Sequence, residues 1–228
     1  MREIVRSRVF SVGYTALMKL VGRYDSPFVR RVAISLHVLG VPFELLSLSP
    51  FSQAAVTRRI SVIGRMPVLI LDGGDTLIES AAILDYLDEL AGPKQALLPP
   101  SGSQRRKSLR IVAAATAACD KAVAINYERR RPAEKVFDDW ITRCRSQLDA
   151  ALGELEAFRK SDWPEAGRLM QPEITTACMF GYVRRTEPDA LPVGRYPSLD
   201  YLSSTSEKQP AFIACPENYQ PSPRESTA

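Results

Sequence analysis

The chain holds a single histidine, His37. That inventory excludes a histidine-based catalytic triad and a multi-histidine zinc site, since each needs an imidazole set among further ligands or nucleophiles. The four cysteines, Cys119, Cys144, Cys178 and Cys215, stand far apart with no Cys-x-x-Cys pair. Neither a redox dithiol nor a disulfide framework is indicated, and a reducing, cytoplasmic setting is expected. No apolar run approaches the roughly 20 residues that span a bilayer, so no membrane association is expected. The net charge of +4 is mild and spread along the chain, which speaks against a nucleic-acid partner. No internal repeat is found.

What is present is ordinary in bulk: 45% apolar and 25% charged residues over 228 positions, enough for one large or two small domains with their own cores. Residues 1–17 carry only scattered apolar positions and are expected to be an N-terminal extension outside the fold; a secretory leader is disfavoured because no clean small-residue cleavage site follows. Leu20 to Gly22 reads as a short strand. Ser26 at an N-cap with Pro27 at the first helical position is a strong helix start, and Val29, Val32, Ala33, Leu36 and Leu39 recur at helical spacing until Gly40 ends the run. Phe43 to Leu48 reads as a second strand, apolar enough to be buried on both faces. A short helix is expected over 52–60.

The most ordered stretch is 65–87. Val68 to Leu71 and Thr76 to Ile78 flank Asp-Gly-Gly-Asp, which predicts a β-hairpin. A helix follows at once, with Ser80 as its cap, Ile83, Leu84, Leu87 and Leu90 on one face, and Gly92-Pro93 as its stop. Residues 93–102, rich in proline and glycine, read as a linker. Beyond it the pattern is helical: 103–128 with Ala113, Ala114, Ala115, Ala117 and Ala118 permitting close approach; 133–158 with a stripe of Phe137, Trp140, Ile141, Cys144, Leu148, Leu152 and Leu155; then 174–185 and 199–208. Residues 216–228 read as a disordered, solvated tail.

Three motifs carry chemistry. Ser26-Pro27-Phe28 opens the first helix, Met66-Pro67 opens the hairpin, and Glu79-Ser80 follows that proline by 12 residues at the next helix start. Together they resemble the cytosolic glutathione transferases, nearest to bacterial-type members with a Ser-Pro-Phe motif, over residues 18–215. The resemblance implies a thioredoxin-like α/β domain at 18–92, an all-α domain at 103–215 and a cis peptide before Pro67. It implies a transferase that conjugates reduced glutathione, as co-substrate and without a metal, to a small apolar electrophile, in a homodimeric, cytoplasmic protein of the detoxification type.

In that reading Ser26 is catalytic: its hydroxyl donates to the glutathione thiolate above a helix N-terminus, and both effects lower the thiol pKa from about 8.5. Met66, beside Pro67, offers backbone groups to the extended tripeptide, and Arg65 meets its glycyl carboxylate. Glu79 accepts from the γ-glutamyl amine, while Ser80 and the helix N–H groups hold the adjoining carboxylate. The plainer alternative makes Ser26 and Glu79-Ser80 simple helix-end residues on a non-catalytic scaffold or regulatory protein of the same fold; peroxidase or dehalogenase chemistry would use the same thiolate. The chain departs from the family pattern at Met170, where a hydroxyl cap is expected before Glu173. Arg105, Arg106, Lys107 and Arg110, with Arg129, Arg130 and Arg131, are expected to be solvated charges. Tyr127 is expected to face the second-substrate pocket.

Overall fold

The computed structural model describes residues 17–161, 163 and 167–218; all but the last residue of the expected extension, and 219–228 of the expected tail, lie outside them. Four strands, β1 (Met18–Val21), β2 (Phe43–Leu46), β3 (Val68–Ile70) and β4 (Thr76–Ile78), form one sheet in the order β2-β1-β3-β4. β1 and β2 run parallel, joined through helix α1 (Pro27–Leu39), whereas β3 pairs antiparallel with both β1 and β4. The expected two-sided burial of β2 is not found. Phe43, Leu45 and Leu46 are only half-buried because β2 is the sheet edge, and the strand stops at Leu46 rather than Leu48.

α1 starts and stops where its end signals lie. Ser26 holds extended backbone and its hydroxyl accepts from the Val29 N–H at 3.4 Å. Gly40 takes the left-handed conformation, φ 66°, and its N–H together with that of Val41 closes the last turn onto His37 and Leu36 carbonyls. Val29, Val32, Ala33, Ile34 and Leu36 are fully buried beneath the sheet, beside Ile83 and Leu87 of α3 (Ser80–Ala91). α2 (Ala54–Ile60) lies on the connection from β2 to β3.

Gly22 lets β1 and α1 come together. It has φ 136°, and a Cβ there would stand 2.5 Å from Val29 Cγ2 and 3.4 Å from Met66 Cβ. Any side chain would force apart the helix opened by Ser26 and the segment holding Met66.

The rest of the described chain is helical: α4 (Gly102–Glu128), α5 (Asp138–Ser161), α6 (Gln171–Thr186), α7 (Pro197–Ser206) and α8 (Pro210–Ile213), with 3₁₀ turns at Ala133–Lys135 and Pro188–Ala190. Cys144, Leu148, Leu152 and Leu155 of α5 are buried against Ile111, Ala115, Ala118 and Ala122 of α4. The expected stripe is shorter than its sequence pattern: Phe137 and Trp140 are 59% and 39% exposed, since the helix begins only at Asp138 and its first turn extends past the packed stretch. Of the α4 alanines, Ala113 and Ala117 face solvent.

α6 ties the helical part to the sheet part. Ile174, Ala177 and Cys178 share a core with α1, and Gln171 Nε2 donates to Ser35 Oγ at 2.7 Å. The missing hydroxyl at Met170 is offset from the other end of the turn, where the Glu173 carboxylate accepts from the Met170 N–H at 3.1 Å and also from Trp163 Nε1. α1 is held from the C-terminal side as well. Arg30, fully buried, meets the Glu207 carboxylate with two bonds of 2.7 Å, the Cys215 carbonyl at 2.7 Å and Glu217 at 3.3 Å. At Glu217, therefore, the expected solvated tail is still packed, drawn in by a buried cation that needs counter-charge.

Candidate active site

A cavity of about 510 Å³ opens between the sheet part and α4 and α6. Its floor is the start of α1 and the segment ahead of the hairpin: Ser26, Phe28, Arg65 and Met66 line it. Ser26 stands at the N-terminus of a 13-residue helix, where the free N–H groups favour negative charge. Its oxygen accepts from Val29 while its own proton remains available to a group in the cavity. The Met66–Pro67 peptide is cis. Among the described residues no hydrogen bond engages the Met66 backbone N–H or C=O, so an extended peptide laid beside Met66 can pair with both.

Glu79 and Ser80 are placed differently from expectation. Ser80 is not the cap: it is the first residue of α3, 2% exposed, and its hydroxyl accepts from Arg31 Nη2 at 2.7 Å. The cap position belongs to Glu79, the one non-glycine residue with positive φ (66°) among those described. This left-handed turn swings the Ser80 side chain under the helix and leaves the Glu79 carboxylate outside, where it pairs with Arg65 at 3.2 Å. Arg65 lines the cavity, so Glu79 adjoins it through that pair, and neither Glu79, Ser80 nor the buried Pro67 lines the cavity itself.

The sequence does not single out Arg31, which reads as one of two adjacent arginines on α1. It is 2% exposed, and its Nε and Nη1 find no partner within the described protein. Burial pushes its guanidinium down to about 10, below the usual arginine range, with Cys178, Cys119, Asp120 and Glu79 pulling the other way from a distance. A buried cation of this kind, one step behind Ser80, favours an anion at the start of α3.

The opposite wall comes from α4 and α6. Asp120, Val123, Asn126 and Tyr127 follow one face of α4, and Tyr182 and Arg185 come from α6. Desolvation raises the Asp120 carboxyl above its ordinary range, with Arg65 the first charge to oppose it. Asn126 Nδ2 donates to the Tyr182 hydroxyl at 3.0 Å, and Arg185 reaches across to the Asp25 carbonyl at 2.7 Å. Tyr127 lines the cavity beside Arg130, so Arg130 is not simply a solvated charge. Of the other charges expected to be solvated, Arg110 and Arg131 sit in exposed pairs, with Glu154 at 2.8 Å and Glu128 at 3.0 Å, whereas Arg105 is half-buried and donates to the Pro99 carbonyl at 3.1 Å, and Arg129 meets the buried Glu187 carboxylate at 2.7 Å. Among the described residues no cluster of three or more histidine, cysteine, aspartate or glutamate side chains is arranged to hold a metal, and no helix is long and apolar enough to cross a membrane.

The family described as "Glutathione S-transferase, N-terminal domain" matches residues 20–95. The uncharacterized GST-like protein YibF of Escherichia coli K12 is 30% identical over 173 residues, 75% of this chain and 85% of that protein. A maleylacetoacetate isomerase of Pseudomonas aeruginosa is 33% identical over 210 residues, 86% of this chain and 93% of the isomerase. Among solved structures, a glutathione S-transferase from Methylobacterium radiotolerans in complex with glutathione sulfonate superimposes with a TM-score of 0.82 at 29% identity, covering 90% of this chain and 97% of that one.

Proposed function

Because the chain belongs to the glutathione S-transferase family, we propose that it binds reduced glutathione over the start of α1 and conjugates it to a small electrophile with an apolar body. The observation that carries this reading is the Ser26 hydroxyl, at a helix N-terminus and facing a cavity shared with the unpaired backbone of Met66. The similarity to a transferase complexed with glutathione sulfonate supports the choice of tripeptide.

In this reaction the tripeptide lies extended along Met66, its glycyl carboxylate toward Arg65. Glu79 exchanges Arg65 for the γ-glutamyl amine, and the γ-glutamyl carboxylate meets the N–H groups at the start of α3, with Ser80 and the buried Arg31 behind them. Ser26 donates its proton in a hydrogen bond to the sulfur, so the thiolate persists near neutral pH and attacks the electrophilic carbon. A hydrogen bond to a charged group contributes about 1.5–3 kcal/mol, or roughly ten- to a hundredfold in rate. We place the working protein in the cytoplasm as a homodimer, with the sheet part at 18–92, the linker at 93–102 and the helical part at 103–215 as its two domains.

Calorimetric titration with reduced glutathione tests the reading. Wild type and Ser26→Ala are expected to bind, Glu79→Ala to bind weakly, and only Ser26→Ala to lose the ultraviolet absorbance of bound thiolate. Absence of binding by wild type overturns the transferase and leaves a scaffold of the same fold.

A further inference from the structure

At the mouth of the cavity the ring of Phe51, on the connection after β2, meets the ring of Tyr127 edge-on, with centroids 5.6 Å apart and planes at 89°. Arg130, just past the end of α4, sets its guanidinium 5.7 Å from the Phe51 centroid and 5.8 Å from that of Tyr127. Three other arginines line the cavity, and each has a carboxylate or carbonyl close by: Arg65 pairs with Glu79 at 3.2 Å, Arg185 donates to the Asp25 carbonyl at 2.7 Å, and Arg23 stands 3.6 Å from the Asp25 carboxylate, an ion pair too long to be a hydrogen bond. Arg130 has none among the described residues; its guanidinium lies over the two rings. A guanidinium lying against ring faces keeps its planar fork of N–H donors free, and that fork matches a carboxylate.

We propose that the second substrate is a flat, aryl or alkenyl electrophile carrying a carboxylate, with Arg130 holding the acid and Phe51 and Tyr127 flanking the unsaturated body. The proposal rests on the glutathione reading of the floor, where Ser26 holds the attacking sulfur. Arg130 and the two rings act as a specificity determinant: the rings accept any flat apolar body, and the free guanidinium selects those with an acid. With an aryl chloride the step is an aromatic substitution. The thiol proton has gone to solvent, the thiolate sulfur forms a bond to the ring carbon, and the C–Cl bond breaks with chloride taking its electron pair.

The test compares chlorodinitrobenzoate with its methyl ester as electrophiles for wild type, Arg130→Gln and Arg130→Lys. Wild type is expected to prefer the acid in kcat/KM once each rate is divided by the uncatalysed rate. Arg130→Gln is expected to reduce that preference about tenfold through KM, with Arg130→Lys between the two, because one charge is kept and the fork lost. The KM for glutathione, set on the floor, should not follow the acid preference. Equal losses for acid and ester overturn the proposal, as does a loss expressed only in the KM for glutathione, which would assign Arg130 to the tripeptide. Should wild type turn over neither compound, the transferase reading fails separately, and dinitrobenzoate against its methyl ester decides by binding: equal affinities, or a preference that Arg130→Gln leaves intact, overturn the Arg130 site.

Discussion

Arg31 Nη2 lies 2.7 Å from Ser80 Oγ, and among the described residues this is the one hydrogen bond of a guanidinium buried between α1 and α3. The pair joins the helix opened by Ser26 to the helix start proposed to hold the γ-glutamyl carboxylate. Without an anion nearby, the charge works against folding; with one, it works for binding.

Arg31→Met is therefore expected to separate the two. Replacing an uncompensated buried charge by an apolar chain of similar length should raise the unfolding free energy by about 1 kcal/mol. Glutathione affinity should fall about tenfold, near 1.4 kcal/mol, because the carboxylate loses its long-range counter-charge. Chemical denaturation and calorimetry measure the two quantities. A large loss of stability would show that Arg31 is structural.

Glu79 offers a second separation. A non-glycine residue held at positive φ carries about 1–3 kcal/mol of backbone strain. Glu79→Ala keeps that strain and Glu79→Gly removes it, so the glycine variant should be the more stable of the two by about 1 kcal/mol. Both should lose glutathione affinity to a similar degree, since both lack the carboxylate. Urea midpoints set beside binding constants check this; an alanine variant as stable as the glycine variant would contradict it.

Glu156 gives the pH dependence. It is buried on α5 and accepts from the Ser198 and Leu199 N–H groups at 3.1 and 3.0 Å, capping α7 from a distance. Desolvation opposes its charge, but the bonds from Ser198, Lys160 and Leu199 outweigh it and hold the carboxyl below its ordinary value. A carboxyl whose folded pKa is lowered contributes stability above its unfolded pKa, and that share disappears as pH falls through the folded value. Glu156→Gln should thus cost about 1–2 kcal/mol at neutral pH, with the difference from wild type shrinking below about pH 4. A difference constant across that range would refute the charge argument.

The elements that sequence pattern located well are those specified by neighbours in the chain. Ser26, Pro27 and Gly40 bound α1 on both sides because caps act within one turn. The hairpin follows from its Asp-Gly-Gly-Asp turn in the same way. The GST fold, with its four-stranded thioredoxin-like sheet ahead of a helical region, was legible through the three motifs, and the Glutathione S-transferase, N-terminal domain match over 20–95 agrees. What pattern could not supply is set by distant partners. Ser80 has the composition of a cap, yet Glu79's backbone takes the cap and sends Ser80 to Arg31. Arg31 looks like a surface charge until α3 closes over it. Arg130 looks like one of three successive arginines until Phe51 approaches from the other part of the chain.

Arg30 belongs to the helix that begins beside Ser26, and its counter-charges arrive late: Glu207 lies 177 positions further on and the Cys215 carbonyl 185. During synthesis, α1 leaves the ribosome long before these partners, and until they emerge Arg30 has neither the Glu207 nor the Glu217 carboxylate to meet it. An interrupted chain leaves a buried charge unpaired, a defect on the order of 3–5 kcal/mol. The segment that opens the cavity is in this sense proofread by the last part of the chain, and a frameshift or nuclease-shortened message reading into α7 would yield a protein that fails at its proposed nucleophile-activating end.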